Sequence, residues 1–191
     1  MLLSKTLVRQ SVRAAVLLLS LTISALAVGD ASAQLARMTL DDLANTSTSI
    51  VHGQATASRA VWNADGTQIL TEVTVQIQDQ LKGAGGSTTV ITIPGGQIGN
   101  VIYEVSDMPS IDEGEEVLVF VWQHPSGRNL VTGGTQGKLL VERASALALP
   151  QVTGLFGLAG AAVDKRPTAD APAAVGLADL KTRIRKLVSN R

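Results

Sequence analysis

The chain has 191 residues, no cysteine, and 16 basic against 16 acidic residues. Without cysteine it can form no disulfide, no thiolate metal site and no lipid anchor on a thiol, so stability has to come from burial. Its balanced charge gives no long-range pull toward nucleic acid or anionic lipid, and nucleic acid is excluded as a partner.

The amino terminus reads as an export signal. Lys5, Arg9 and Arg13 form a basic region, Ala14 to Val28 an apolar one, and Ala31-Ser32-Ala33 the small-x-small pattern of signal peptidase. The apolar stretch is shorter than the roughly 20 residues of a membrane span. The expectation is a signal peptide over residues 1–33, cleaved to leave Gln34 at the new terminus; an uncleaved anchor is the alternative. The protein is then exported, periplasmic or extracellular, and meets a membrane only through this transient segment.

Residues 34–45 read as a short helical lead-in: Thr39 is a candidate N-cap, and Asp41 and Asp42 suit the positive helix end. Ile50 to Ala57 is a first strand. Residues 68–81 carry the strongest period, with Ile69, Thr71, Val73, Val75 and Ile77 on one face and Glu72, Thr74, Gln76 and Gln78 on the other. Period two means a strand with one face buried and one wet. Asp65-Gly66 before it is a hairpin turn signal. Further strands are expected at 88–93, 101–105, 130–132 and 138–142, and the continuous apolar run "VLVFVW" at 117–122 suits a strand covered on both faces.

These short strands between Gly/Pro turns imply a mainly β fold over residues 46–142: a small antiparallel OB-like barrel or sandwich of six to seven strands. Residues 143–175, rich in Ala, Gly and Pro, read as a linker. Residues 176–191 regain helical spacing, with Leu177, Leu180, Ile184, Leu187 and Val188 on one stripe, and read as an amphipathic helix.

Chemical signals are sparse. "PGGQIGN" at 94–100 has neither a following Lys nor a following helix, so it matches neither a phosphate loop nor a dinucleotide fingerprint. Its glycines suit a wide turn taking positive φ, and Gln97, Ile98 and Asn100 make it a candidate partner-contact loop. The histidines, His52 and His124, each read as surface residues, without metal-ligand spacing. Asp112, Glu113, Glu115 and Glu116 lack calcium-loop register and read as a solvated turn. No cofactor or metal is implied.

The order I-V-x-G (50–53), Leu81-Lys82-Gly83, Pro94-Gly95-Gly96 with Gly99, Gly114-Glu115 and Gln136-Gly137-Lys138 resembles an uncharacterised family of secreted bacterial β-domain proteins. More distantly it is similar to the netrin-like domains of metalloproteinase inhibitors, which are OB-type barrels. Those inhibitors chelate the protease metal through an amino-terminal cysteine, which this chain lacks. The reading is an exported, non-catalytic β-barrel module that contacts an unknown protein partner in the envelope or secretome. The alternatives are a carrier of a small apolar ligand and a hydrolase using His52 or His124 with carboxylates.

Overall fold

The computed structural model describes residues 36–143, 148–153 and 175–190. The expected signal peptide and most of the expected linker lie outside the described residues.

The lead-in helix is α1, Leu40–Thr46. Its start is the capping box that Thr39 and Asp42 can form: the Thr39 hydroxyl accepts from the Asp42 N–H at 3.1 Å, and the Asp42 carboxylate accepts from the Thr39 N–H at 2.9 Å. At its other end Lys82 Nζ donates to the carbonyls of Ala44 and Ser47, both at 2.6 Å, where a cation complements the helix dipole.

The strands that follow are β1 (Ser49–Trp62), β2 (Ile69–Lys82), β3 (Thr88–Pro94), β4 (Gly96–Ile98), β5 (Val101–Tyr103), β6 (Glu116–Gln123), β7 (Asn129–Val131), β8 (Lys138–Glu142), β9 (Gln151–Thr153) and β10 (Val175–Gly176). Five of them close a barrel in the order β1-β2-β3-β7-β6 and back to β1. Closure decides for the OB-like barrel over the sandwich. The barrel is not wholly antiparallel: β3 and β7 run parallel, meeting at Thr92 and Leu130. An odd number of strands cannot close with every neighbour opposed, so one parallel pair is a geometric necessity. Among the described residues there are ten strands rather than six or seven, because β4, β9 and β10 are only two or three residues long and carry no readable period. β9 falls in the stretch read as linker and β10 across its end, where β9 pairs with β8 and β10 with β9.

The barrel interior is aliphatic. Val51, Val73, Val75, Ile91, Val117 and Val119 are each at most 1% exposed. A second apolar layer lies outside the barrel wall, where Ile50, Leu118, Phe120 and Leu139 pack against α1 and the carboxy-terminal helix α2, Leu177–Ser189. Residues 117–121 are therefore covered on both sides, valines inward and Leu118 and Phe120 toward the helices, while Trp122 is exposed. The helical stripe Leu177, Leu180 and Ile184 is buried in this layer, so α2 packs on its own domain.

One irregularity positions the charged residues. His52 pairs with Asp79 and Gly53 with Ile77, so the ladder skips Gln78, which is exposed. Strict alternation would point Asp79 into the barrel with Val75 and Ile77. The bulge turns it to the helix side, opposite His52. Gly53 is required at this crossing, since a Cβ there would lie 2.1 Å from the Gln76 carbonyl oxygen.

The short sequence motifs have structural jobs. Lys82 of Leu-Lys-Gly caps α1. Gln136, in a 3₁₀ turn at Gly134–Gly137, accepts from Met38 N–H at 2.8 Å and donates to the Ala36 carbonyl at 3.1 Å, tying down the strand-like approach to α1. Lys138 and Glu115 pair at 2.8 Å, joining the Gln-Gly-Lys and Gly-Glu motifs.

Candidate functional site

The densest group of polar side chains is a cluster between the barrel wall and α2. His52 on β1 places Nε2 2.8 Å from Glu116 Oε1 on β6 and Nδ1 3.0 Å from Lys181 Nζ on α2. Lys181 also lies 3.0 Å from Asp79 Oδ2, and Arg185, one helical turn on, forks onto both Asp79 oxygens at 2.7 and 2.9 Å. Arg143, just past β8, grips Glu116 with both terminal guanidinium nitrogens. A fork of this kind is the strong form of the carboxylate hydrogen bond.

The hydrogen bonds assign the imidazole tautomer. An ammonium only donates, so Nδ1 accepts from Lys181 and the ring proton sits on Nε2, donating to Glu116. Burial holds the His52 pKa below its ordinary value; the bond to Glu116 opposes this, and the Lys181 charge adds to it. For Glu116 and Asp79 burial acts upward, but hydrogen bonds from Arg143 and His52, and from Lys181 and Arg185, bring both carboxyls below their usual range.

His52 is 4% exposed, which corrects the reading of this residue as a surface histidine. Gly53 beside it and the bulge opposite disguise which face it occupies. Both of its nitrogens are engaged, leaving none to take a proton from a nucleophile or a substrate. His124 sits apart in the β6–β7 turn, where Nδ1 accepts from the Ser126 N–H at 3.1 Å and the ring meets Trp122 edge-on at 5.4 Å. Among the described residues the two histidines share no partner, and His124 Nδ1 also lies 2.8 Å from the Ser126 hydroxyl. Asp79, Glu116, Arg143, Lys181 and Arg185 were not singled out as functional from the sequence. The available signal was Asp79 itself, a carboxylate at a buried phase of the β2 alternation.

The acidic turn is only partly solvated. Glu115 and Glu116 are tied to Lys138 and to the His52 cluster, while Asp112 and Glu113 stay exposed. Among the described residues no three His, Asp or Glu side chains converge as metal ligands.

The loop at 94–100 enters a small hairpin, β4 and β5, folded back over the β1–β2 end of the barrel. Gly95 N–H donates to the Ile69 carbonyl at 2.9 Å, and the Thr71 hydroxyl donates to the Gly95 carbonyl at 2.7 Å. Gly96 has φ +138°, and a Cβ there would stand 2.6 Å from Thr71 Oγ1 and 3.2 Å from an Ile69 methyl. Of the candidate contact residues, Gln97 bonds back to the Gly99 carbonyl at 3.0 Å, Ile98 is half-buried and Asn100 is exposed. Gly96→Val should cost about 1–3 kcal/mol, from strain at positive φ and contact with β2. Gln97→Ala should stay within about half a kcal/mol. Thermal unfolding of both variants checks this, and equal melting temperatures would refute the assignment.

Among the described residues, two of the hollows lie beside the barrel. One, about 660 Å³, lies between this hairpin and residues 104–112, with Gly96, Tyr103, Met108 and Ile111 on its walls. The other, about 310 Å³, is at a barrel mouth beside Gln80, Gln123 and Asn129, and there Gln80 Oε1 is buried with no hydrogen-bond partner among the described residues. The smaller hollow reaches Val51, Ile77 and Val121 at the edge of the barrel core, whose centre is filled by valine and isoleucine.

Neither a family model, nor a curated protein, nor a solved structure matches the chain.

Proposed function

We propose that this chain is an exported, non-catalytic β-barrel module that works by protein–protein contact, with the β4–β5 hairpin as its contact element. The observation that carries this reading is apolar exposure at that element: Ile102 is 63% and Val101 49% exposed. Trp62, at the end of β1 over which the hairpin folds, is 43% exposed. Large apolar side chains gathered at one end of a well-filled domain are a common mark of an interaction site. Export is supported by the amino-terminal sequence, and the filled barrel and the fully engaged His52 support a role without catalysis.

The contact element differs from the loop residues expected from sequence. Gln97 is occupied within the loop, so the contact shifts to the outer strand, Val101 and Ile102.

The test places a photo-crosslinking amino acid at Ile102 and, as a control, at the exposed Ser126 in the β6–β7 turn, at the opposite end of β1. Cells producing either chain are irradiated and the exported fraction is analysed. The expected result is a chain beginning at Gln34 with a discrete protein adduct from position 102 alone. Equal adducts from both positions, or a chain retaining Met1 inside the cell, would overturn the proposal.

A further inference from the structure

The apolar stripe of α2 seats it on the barrel, but its second turn ends on a buried histidine. The groups facing His52 are Glu116 from β6, Asp79 from β2 and Lys181 from α2; Arg143 and Arg185 stand behind the two carboxylates. Three cations and two carboxylates thus surround an imidazole that must stay neutral to accept from Lys181.

We propose that this cluster is an acid-sensitive latch: protonation of His52 at Nδ1 evicts Lys181 and loosens the middle of α2 from the barrel wall. The reason is geometric. With a proton on Nδ1, an N–H faces an ammonium across 3.0 Å, and neither has a lone pair to offer. The proton also raises the excess of positive charge in a site with little water. Glu116 cannot compensate, since it already accepts from Nε2 and is held by Arg143.

The direction with pH follows. Burial and Lys181 hold the docked His52 below the ordinary 6.5, so the docked state binds fewer protons than the undocked one. Docking is therefore strongest above about pH 6.5 and weakens as pH falls through and below that value. Asp79 and Glu116, also depressed, add a further loss at and below their ordinary 3.8 and 4.5. Leu177, Leu180 and Ile184 remain buried through the first step, so the helix loosens rather than leaves.

The test is amide hydrogen exchange of α2 in the full chain between pH 7.5 and 5.5, corrected for intrinsic rates, beside His52→Gln. The glutamine amide can accept from Lys181 and donate to Glu116 at every pH. In the unsubstituted chain the open fraction of α2 should rise up to about tenfold over this range, the limit for one proton and an ordinary histidine pKa. It should stay flat in His52→Gln. A ring titration by NMR should show a His52 midpoint below 6.5. If His52→Gln does not fold, Lys181→Met serves, and it should raise the His52 midpoint and flatten the exchange profile. The same pH dependence with and without the substitution, or titration of His52 without any change in α2, would overturn the latch.

Discussion

Val73→Asp should destabilise the chain by at least about 4 kcal/mol, whereas Gln76→Asp, three residues along the same strand, should change it by no more than about half a kcal/mol. Val73 is 0% exposed among Val51, Val75, Ile91 and Val119, with no cation or hydrogen-bond donor among the side chains of that cluster. An aspartate there loses its hydration with nothing in return, and even its protonated form leaves polar oxygens unpaired. Gln76 points to solvent on the other face of β2. Urea unfolding gives both numbers from midpoint and slope. Coincident midpoints would mean that the faces of β2 are assigned the wrong way round.

Phe120→Ala should cost about 3–5 kcal/mol, the range for removing a buried aromatic ring. Phe120 is one of two phenylalanines in the chain and is fully buried on the helix side of β6. Its ring lies in the layer that also holds Leu43 of α1 and Leu180 and Ile184 of α2. The cavity should therefore be felt by the helices as well as by the barrel, and α2 should lose exchange protection before β2 does. Phe120→Leu, which keeps much of the volume, should recover most of the stability. A Phe120→Ala chain that unfolds at the unsubstituted midpoint would show that the helix layer contributes little.

What is legible in the amino-acid sequence is short-range chemistry. Thr39 and Asp42 stand three apart, so the start of α1 could be read from a hydrogen-bonding pattern that needs no other part of the chain. The alternation from Ile69 to Ile77 announced which face of β2 is buried, because a strand has period two wherever it lies. The run at 117–122 announced a strand covered on both sides, and Asp65-Gly66 a hairpin. These signals were enough for a small mainly β fold with a helix at each end.

How the strands close and where the charges meet depends on the packing of the whole chain. The parallel contact of β3 with β7 is forced by closing five strands into a ring, a condition on the whole set that no single segment carries. The bulge at Gln78 depends on how β1 and β2 twist past each other, and it moves Asp79 from the barrel interior to the helix face. His52 finds Glu116 and Lys181 at separations of 64 and 129 residues. A side chain's surroundings at such distances are set by packing rather than by its neighbours in the chain, so a histidine that reads as a surface residue lies at the centre of a buried ionic cluster.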